Sequence, residues 1–495
     1  MAFTFESVIG LEIHAQVNTN TKMFCSCSND SFGLQPNKNV CPICMGFPGM
    51  LPVINKEVVK KGLAAALALH CEIPAFSKFD RKNYFYPDLP KGFQISQYDK
   101  PVSQNGHVDI LINGEKRKIR VNRLHLEDDA GKLVHVTRNQ AKLDERSNIK
   151  GWTTGDYTLC DYNRSGSPLM EIVSEPDMRS VEEASAYAQE VRRILKYVGS
   201  SKCDMEKGMM RFDINVSLKK KGQEEFGVKA EVKNLNSFRA LELALAYEIK
   251  RQEEVLNEGG KIAQETRGWD DEKGETVSQR SKEEAHDYRY FPEPDLPPLT
   301  FEKAAIEKLK LQVKELPLDR KLRFMKKLGL SDEDAGILIE EKDMADYFEI
   351  VVETSKDSKK AVSFMNTILL KHLNNDGTPL AECKIKPEQL GKLIKLVNDG
   401  VVSNNMAKTD IFEGMYASGK DPEKVVEEKG LKLVSDTGAI EGICKKVLEE
   451  NPGPVADFKG GKQQAFGFLV GQAMKASKGQ GNPKIVNEIL RKLLS

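Results

Sequence analysis

Val8-Ile-Gly-Leu-Glu-Ile-His-Ala-Gln-Val17 alternates strictly: Ile9, Leu11, Ile13, Ala15 and Val17 are apolar, with Gly10, Glu12, His14 and Gln16 between them. Period two marks a half-buried β-strand, because successive side chains leave a strand on opposite faces. One face can join a core, and the other presents Glu12 and His14 together. The same rule finds further strands outward from this one. His107–Val121 reads as two alternating runs around Asn113-Gly114, a type I′ hairpin signal. Phe212, Ile214, Val216 and Leu218 alternate with Arg211, Asp213, Asn215 and Ser217.

Two helices interrupt this sheet material. Ser180 and Glu183 have the spacing of a capping box, followed by an apolar face from Ala184 to Val198 and a stop at Gly199. A second helix runs from about Ser237 to Asn257 and ends at Gly259-Gly260. The four prolines of Tyr290–Pro298 mark a boundary, beyond which the texture is helical, and a second break is expected near Asn404–Asp421. Asn482-Pro483 then starts a last helix. The fold class is α+β, an antiparallel-sheet domain followed by an all-α domain and a small α-helical tail domain. The expected divisions are 1–298, 299–410 and 411–495.

The composition is that of a soluble globular protein, 40% hydrophobic and 30% charged over 495 residues. Lysines and arginines balance aspartates and glutamates at 74 each, so any nucleic-acid surface must be local. No apolar run of ~18 residues suggests a membrane span. The first residues carry neither a basic leader nor an apolar h-region. The expectation is a cytoplasmic protein without membrane association.

Four signals carry chemistry. Cys25-x-Cys27 and Cys41-x-x-Cys44 place four thiols in one short stretch, a donor set that satisfies a tetrahedral structural Zn²⁺ with no open position. The alternative is four unrelated reduced cysteines. The remaining five cysteines are isolated and read as core residues. On the strands, alternation pairs Glu12 with His14, His125 with Glu127, and Arg211 with Asp213 and Asn215, and it places Lys229, Glu231 and Lys233 together. Neighbouring strands would gather these into a site for Mg²⁺ or Mn²⁺ beside triphosphate oxygens. A charged face turned to water explains the same alternation.

The third signal is Phe79–Asp99, a loop interleaving Arg81, Lys82 and Lys91 with Tyr84, Phe85, Tyr86 and Phe93. Charge among aromatic faces suits a nucleotide or a single-stranded end, although buried structural aromatics would look the same. The fourth is the stretch from Lys459 to the end, with seven Lys/Arg against one acid, a candidate phosphate contact or a solvated helical surface. No P-loop, Rossmann fingerprint, G-x-S-x-G elbow or other amidase-type nucleophile is present.

Taken in order, these segments resemble the B and E subunits of the glutamyl/aspartyl-tRNA amidotransferases, the GatB/GatE family. The resemblance rests on VIGLEIHAQV, the paired cysteines, RKNYFYPDLPKGFQISQYD at 81–99 and RLHLEDDAGK at 123–132. It continues through DYNRSGSPLMEIVSEPD at 161–177, MRFDINVSL at 210–218, EVKNLNSFRA at 231–240, RSKEEAHDYRYFPEPDLPP at 280–298 and the C-terminal segment. Without the synthetase-like insertion of E-type members, the chain resembles the B type.

The resemblance implies a cradle domain, a helical domain and a tRNA-binding tail. It also implies ATP-dependent phosphorylation of the side-chain carboxylate of Glu-tRNA(Gln) and/or Asp-tRNA(Asn). Amidation would follow, with ammonia from a partner amidase (the A subunit of such complexes), and a small C-type partner would clasp the two. Such a chain is part of a carbon–nitrogen ligase that uses glutamine as amide donor. The implied Mg²⁺ ligands are Glu12, His14 and Glu127, with Asp213 a fourth. Lys82 joins Glu12, His14 and Glu127 as a catalytic residue. Lys82, Tyr84 and Lys91 would face the nucleotide or tRNA end, and Asn163, Arg164, Lys233 and Asn234 would contact phosphate or adenosine. A competing reading is a non-catalytic, zinc-stabilised tRNA-binding scaffold. A self-sufficient amidotransferase would need a glutaminase nucleophile, and none is visible.

Overall fold

The computed structural model describes residues 4–136, 157–281, 288–433, 437–477 and 481–494. Residues 282–287 of the motif at 280–298, and Lys478 of the basic tail, lie outside these. The described residues form two compact units, divided between Arg320 and Lys321.

The first unit is built on an eight-stranded sheet. Its strands are β1 (Phe5–Gln16), β2 (Ser103–Ile112), β3 (Glu115–Asp128), β4 (Pro168–Ser174), β5 (Met210–Lys220), β6 (Ala230–Leu235), β7 (Glu265–Asp270) and β8 (Glu275–Ser281). Their order is β8-β7-β6-β5-β1-β4-β3-β2, antiparallel throughout except between β6 and β7. The Asn113-Gly114 turn joins β2 to β3, with Ile112 opposite Glu115 and both turn residues at positive φ, as a type I′ turn requires.

Ile9, Leu11, Ile13, Leu124, Leu126, Met170, Ile172, Phe212 and Ile214 line one face of the sheet. They form a single core with helices α1 (Lys56–Ala68), α2 (Val181–Tyr197) and α3 (Phe238–Asn257). Ser180 caps α2 by accepting the Glu183 N–H at 3.2 Å. The Glu183 carboxylate, which the capping-box spacing would turn onto Ser180, accepts the Arg179 N–H and pairs with Arg117. The helices cover one face of the sheet and leave the charged face for a site.

The proline-rich stretch belongs to the first unit. Phe291 and Pro292 pair with Arg81 and Asp80, and Leu299 and Thr300 with Ser77 and Phe76. Ile306, Leu309, Val313 and Leu316 then pack on the same core. Proline lacks a ladder donor but is tolerated in short edge pairings of this kind. Within Phe79–Asp99, read as a loop, Asp80–Asn83 and Phe93–Ser96 form strands of a three-stranded sheet, and the residues between them remain a loop.

The second unit is helical and holds two cores. Helices from Pro317–Leu328 to Pro422–Lys429 surround Phe324, Phe348, Phe364 and Phe412, and a smaller core gathers Ile440, Cys444, Leu469 and Leu490. The break expected at 404–421 is spanned by helix up to Ser418, because Met406, Ile411, Phe412 and Met415 bury at helical spacing. No helix among the described residues is long and apolar enough to cross a membrane.

Candidate metal and phosphoryl-transfer site

The strand order brings four titratable residues into one row on the face away from the helices. Arg211 stands opposite His14, His14 opposite Glu171, and Glu171 opposite His125, across β5, β1, β4 and β3. Glu171 Oε2 lies 3.3 Å from His14 Nε2 and 3.2 Å from His125 Nε2, and Glu127 Oε2 is 3.7 Å from His125 Nε2. Ser96 donates to Glu127 at 3.1 Å.

His14, His125, Glu127 and Glu171 are buried and Arg211 is half-buried; Glu127 is only 2% exposed. A solvated sheet face would leave them in water, so burial and clustering separate this surface from that reading. Burial drives carboxylates up and imidazoles down, and the pairings oppose it. Glu171 is held well below the ordinary carboxylate range by its two imidazoles despite burial. His125 is pushed up to about 9: burial lowers it, and Glu171 and Glu127 outweigh burial. His14 is raised as well, with Glu171 overcoming burial and the Arg211 charge.

One donor atom each from His14, Glu127 and Glu171 lie within 4.8 Å of one another. The Nδ1 atoms of His14 and His125 are buried with no hydrogen-bond partner among the described residues. An imidazole and carboxylates around unpaired buried polar atoms fit a divalent cation of hard or intermediate character. Glu12 stands opposite Asp213 one row further on, and Asn215 donates to it at 3.0 Å. Burial raises Glu12, and Glu171, Asp213 and Glu231 add to the rise. Lys233 balances this second acidic group, 3.1 Å from Glu231 and 3.9 Å from Asp213.

The other expected residues divide. Lys82 lies half-buried between the rings of Tyr288 (5.1 Å) and Tyr84 (5.9 Å), and Glu127 and Glu171 favour its cationic form against burial. Tyr84 donates to Gln94 at 3.4 Å. Lys91 is ion-paired with the buried Asp128. Arg164 pairs with Asp129 at 3.1 Å, and Asp129 also meets Arg211. Asn234, at positive φ, donates its N–H to Asp213 at 2.8 Å. Asn163, Arg164, Arg211 and Asn234 line a polar cavity of about 570 Å³.

The structure does not bring Asn163 into the ionisable row. Its Oδ1 accepts the Asn39 N–H at 2.7 Å and its Nδ2 donates to the Gln35 carbonyl at 2.8 Å, so the side chain braces the cysteine-bearing loop. Glu171 is the residue that the strand reading missed. Leu169, Glu171 and Val173 alternate with Met170 and Ile172, so period two alone would have placed it on the polar face. Its apolar neighbours on both faces give the stretch the pattern of a strand buried on both sides.

Cys25, Cys27, Cys41 and Cys44 meet, one sulfur each, within 4.8 Å of one another, compatible with a structural metal. The Cys25 thiol, helped by the Cys41 N–H and the Lys22 ammonium, holds the Cys44 thiol down at about 5 against burial. Of the isolated cysteines, Cys71, Cys203 and Cys444 are buried, and Cys160 and Cys383 are half-buried. In the C-terminal stretch Lys459, Lys462, Lys475, Lys484, Arg491 and Lys492 are exposed.

The family described as the GatB/GatE catalytic domain matches residues 7–307, and the GatB domain family matches residues 346–494. The B subunit of the aspartyl/glutamyl-tRNA(Asn/Gln) amidotransferase of Carboxydothermus hydrogenoformans is 50% identical over 491 residues, 99% of each chain. The protein of the same name from Persephonella marina is 48% identical, again over 99% of each. Matched through both its units, with the ionisable row and the cysteine cluster inside the catalytic-domain match, the chain belongs to the GatB/GatE family.

Proposed function

We propose that this chain is the B subunit of a tRNA-dependent amidotransferase, a carbon–nitrogen ligase with glutamine as amide donor. In this reading it uses ATP to activate the side-chain carboxylate of Glu-tRNA(Gln) and/or Asp-tRNA(Asn). The observation that carries the proposal is the buried row His14–Glu171–His125 with Glu127 beside it. The relatives' names supply the reaction class, and the row supplies a place for phosphoryl chemistry.

A side-chain carboxylate resists ammonia because oxide cannot leave. Transfer of the ATP γ-phosphoryl group to the carboxylate gives an acyl phosphate, from which ammonia displaces phosphate. Mg²⁺, when bound, neutralises charge on phosphate oxygens. His14, Glu127 and Glu12 would hold it, joined by Glu171, with Asp213 further along the face. Lys82, kept cationic among its tyrosines, faces developing negative charge, and Tyr84 and Lys91 line its approach. Arg164, Lys233 and Asn234 border the nucleotide. The buried face excludes the water that would hydrolyse an acyl phosphate.

The partner amidase would supply ammonia, and the small C-type partner would clasp it to this chain. The exposed basic end of the tail would meet tRNA, in a division into cradle, helical and tail domains. The cysteine cluster would hold Zn²⁺ for structure.

The test is ATP turnover dependent on Glu-tRNA, in the complex with the amidase and its small clasping partner, comparing wild type with Glu127→Ala. Turnover is expected to vanish in the variant while glutamine hydrolysis persists. Unchanged turnover would move the phosphoryl chemistry elsewhere and leave a non-catalytic, tRNA-binding scaffold.

A further inference from the structure

Lys22 is wholly buried, 0% exposed, three residues before the first cysteine of the cluster. Its Nζ donates to the Asn39 carbonyl at 2.9 Å and lies 3.9 Å from Cys44 Sγ. Among the described residues no carboxylate pairs with it. The loop after Asp161 closes over the two side chains. Gly166, at positive φ, comes so near that a Cβ there would sit 3.2 Å from Cys44 Cβ and 3.7 Å from Lys22 Cδ, and Ser165 donates to the Cys44 carbonyl at 3.4 Å.

A buried ammonium is strongly unfavourable unless an anion offsets its lost hydration. One backbone carbonyl satisfies a donor but supplies no charge, so the anion has to come from the sulfurs, of which Cys44 Sγ is 3.9 Å away. A zinc(II) tetrathiolate carries two net negative charges, one of which a lysine cancels at this distance.

We infer that Lys22 is the counter-charge of the cysteine knuckle, a positioning residue whose ammonium offsets the excess charge of the metal-bound thiolates and so sets how tightly the knuckle holds its metal. This rests on reading the cluster as a zinc site. Charge explains why a lysine, rather than an apolar side chain of equal length, fills this interior position. The N–H···S contact at Cys44 adds the outer-shell hydrogen bonding that orients metal ligands.

The experiment is competition for Zn²⁺ between the full-length chain and a chromophoric chelator. Lys22→Met keeps the length and apolar stem of the side chain and removes its charge. Its zinc affinity is expected to fall roughly 10–100-fold, the scale of outer-shell losses. Cys27→His removes one negative charge from the cluster while leaving a competent three-cysteine, one-histidine set. In that background Lys22→Met is expected to cost less, because the net charge of the cluster is halved.

Equal affinity with and without the lysine, or an equal loss in both backgrounds, overturns the inference. A wild-type chain that binds no zinc overturns the zinc reading itself. Acylation of the wild-type chain by acetic anhydride, read by peptide mass, needs no variant. Lys22 is expected to be protected when zinc is loaded and labelled once the metal is stripped. Protection in both states would mean that the metal's charge does not hold it.

Discussion

Nε2 of His125 lies 3.2 Å from Oε2 of Glu171, and the same oxygen stands 3.3 Å from Nε2 of His14. One carboxylate from β4 thus bridges imidazoles on the strands at either side of it. Glu171→Gln keeps the shape and removes the charge, leaving His14 without its carboxylate partner and His125 with Glu127 alone. Breaking a buried ionic pair in this way costs about 3–5 kcal/mol. The urea midpoint should fall, and on the proposed function Glu-tRNA-dependent ATP turnover should fall with it by at least about 100-fold, the scale of a lost electrostatic contact. A variant that keeps both would remove Glu171 from the site.

The cysteine cluster makes a spectroscopic prediction. Four sulfurs within 4.8 Å of one another suit a tetrahedral ion. Co²⁺ bound at the cluster should therefore show thiolate charge-transfer bands and intense tetrahedral d–d absorption. Cys41→Ser should weaken both and lower the melting temperature. Pale, octahedral-type absorption in the wild type would show that the thiols do not bind as a set.

Ile13 tests the sheet core. It is completely buried on β1, between β4 and β5. Ile13→Ala leaves a cavity beneath the helices, and the expected destabilisation is about 2–5 kcal/mol. Chemical denaturation followed by circular dichroism measures it, and a loss under about 1 kcal/mol would contradict such tight packing.

A pH-dependent effect is expected away from the site. Asp177 accepts from the Arg120 backbone N–H at 3.0 Å and from its guanidinium at 2.8 and 2.6 Å, which holds its carboxyl below the ordinary range. A depressed carboxylate stabilises the fold above its ordinary pKa, and that stability is lost as pH falls through the folded value. Asp177→Asn should thus be less stable than wild type at pH 7, by no more than about 1 kcal/mol because the Arg120 side is solvent-screened. The gap should begin to narrow below about pH 4 and close once pH falls under the folded value. A gap independent of pH would assign the difference to packing.

Much of the site was legible because strand periodicity is local. The spacing of Glu12 and His14, and of His125 and Glu127, is enough to place each pair on one face. The Asn113-Gly114 turn likewise dictates its hairpin. Glu171 escaped because its signal was shared with apolar neighbours. Asn163 was expected to contact phosphate or adenosine; its hydrogen bonds go to backbone distant in sequence, at Gln35 and Asn39.

Sequence by itself determined the alternating strands, the cap of α2, the four-thiol donor set and the motifs that carry the family. The tertiary structure decided that β1 lies between β4 and β5, and so that His14 faces Glu171 on one side and Arg211 on the other. Alternation dictates the face of each side chain, whereas its neighbours depend on strand order and register across the whole sheet. Burial followed from the same packing. It turned a row of charged residues that could have been solvated into coupled groups with displaced pKa values, and it enclosed Lys22 beside the thiols.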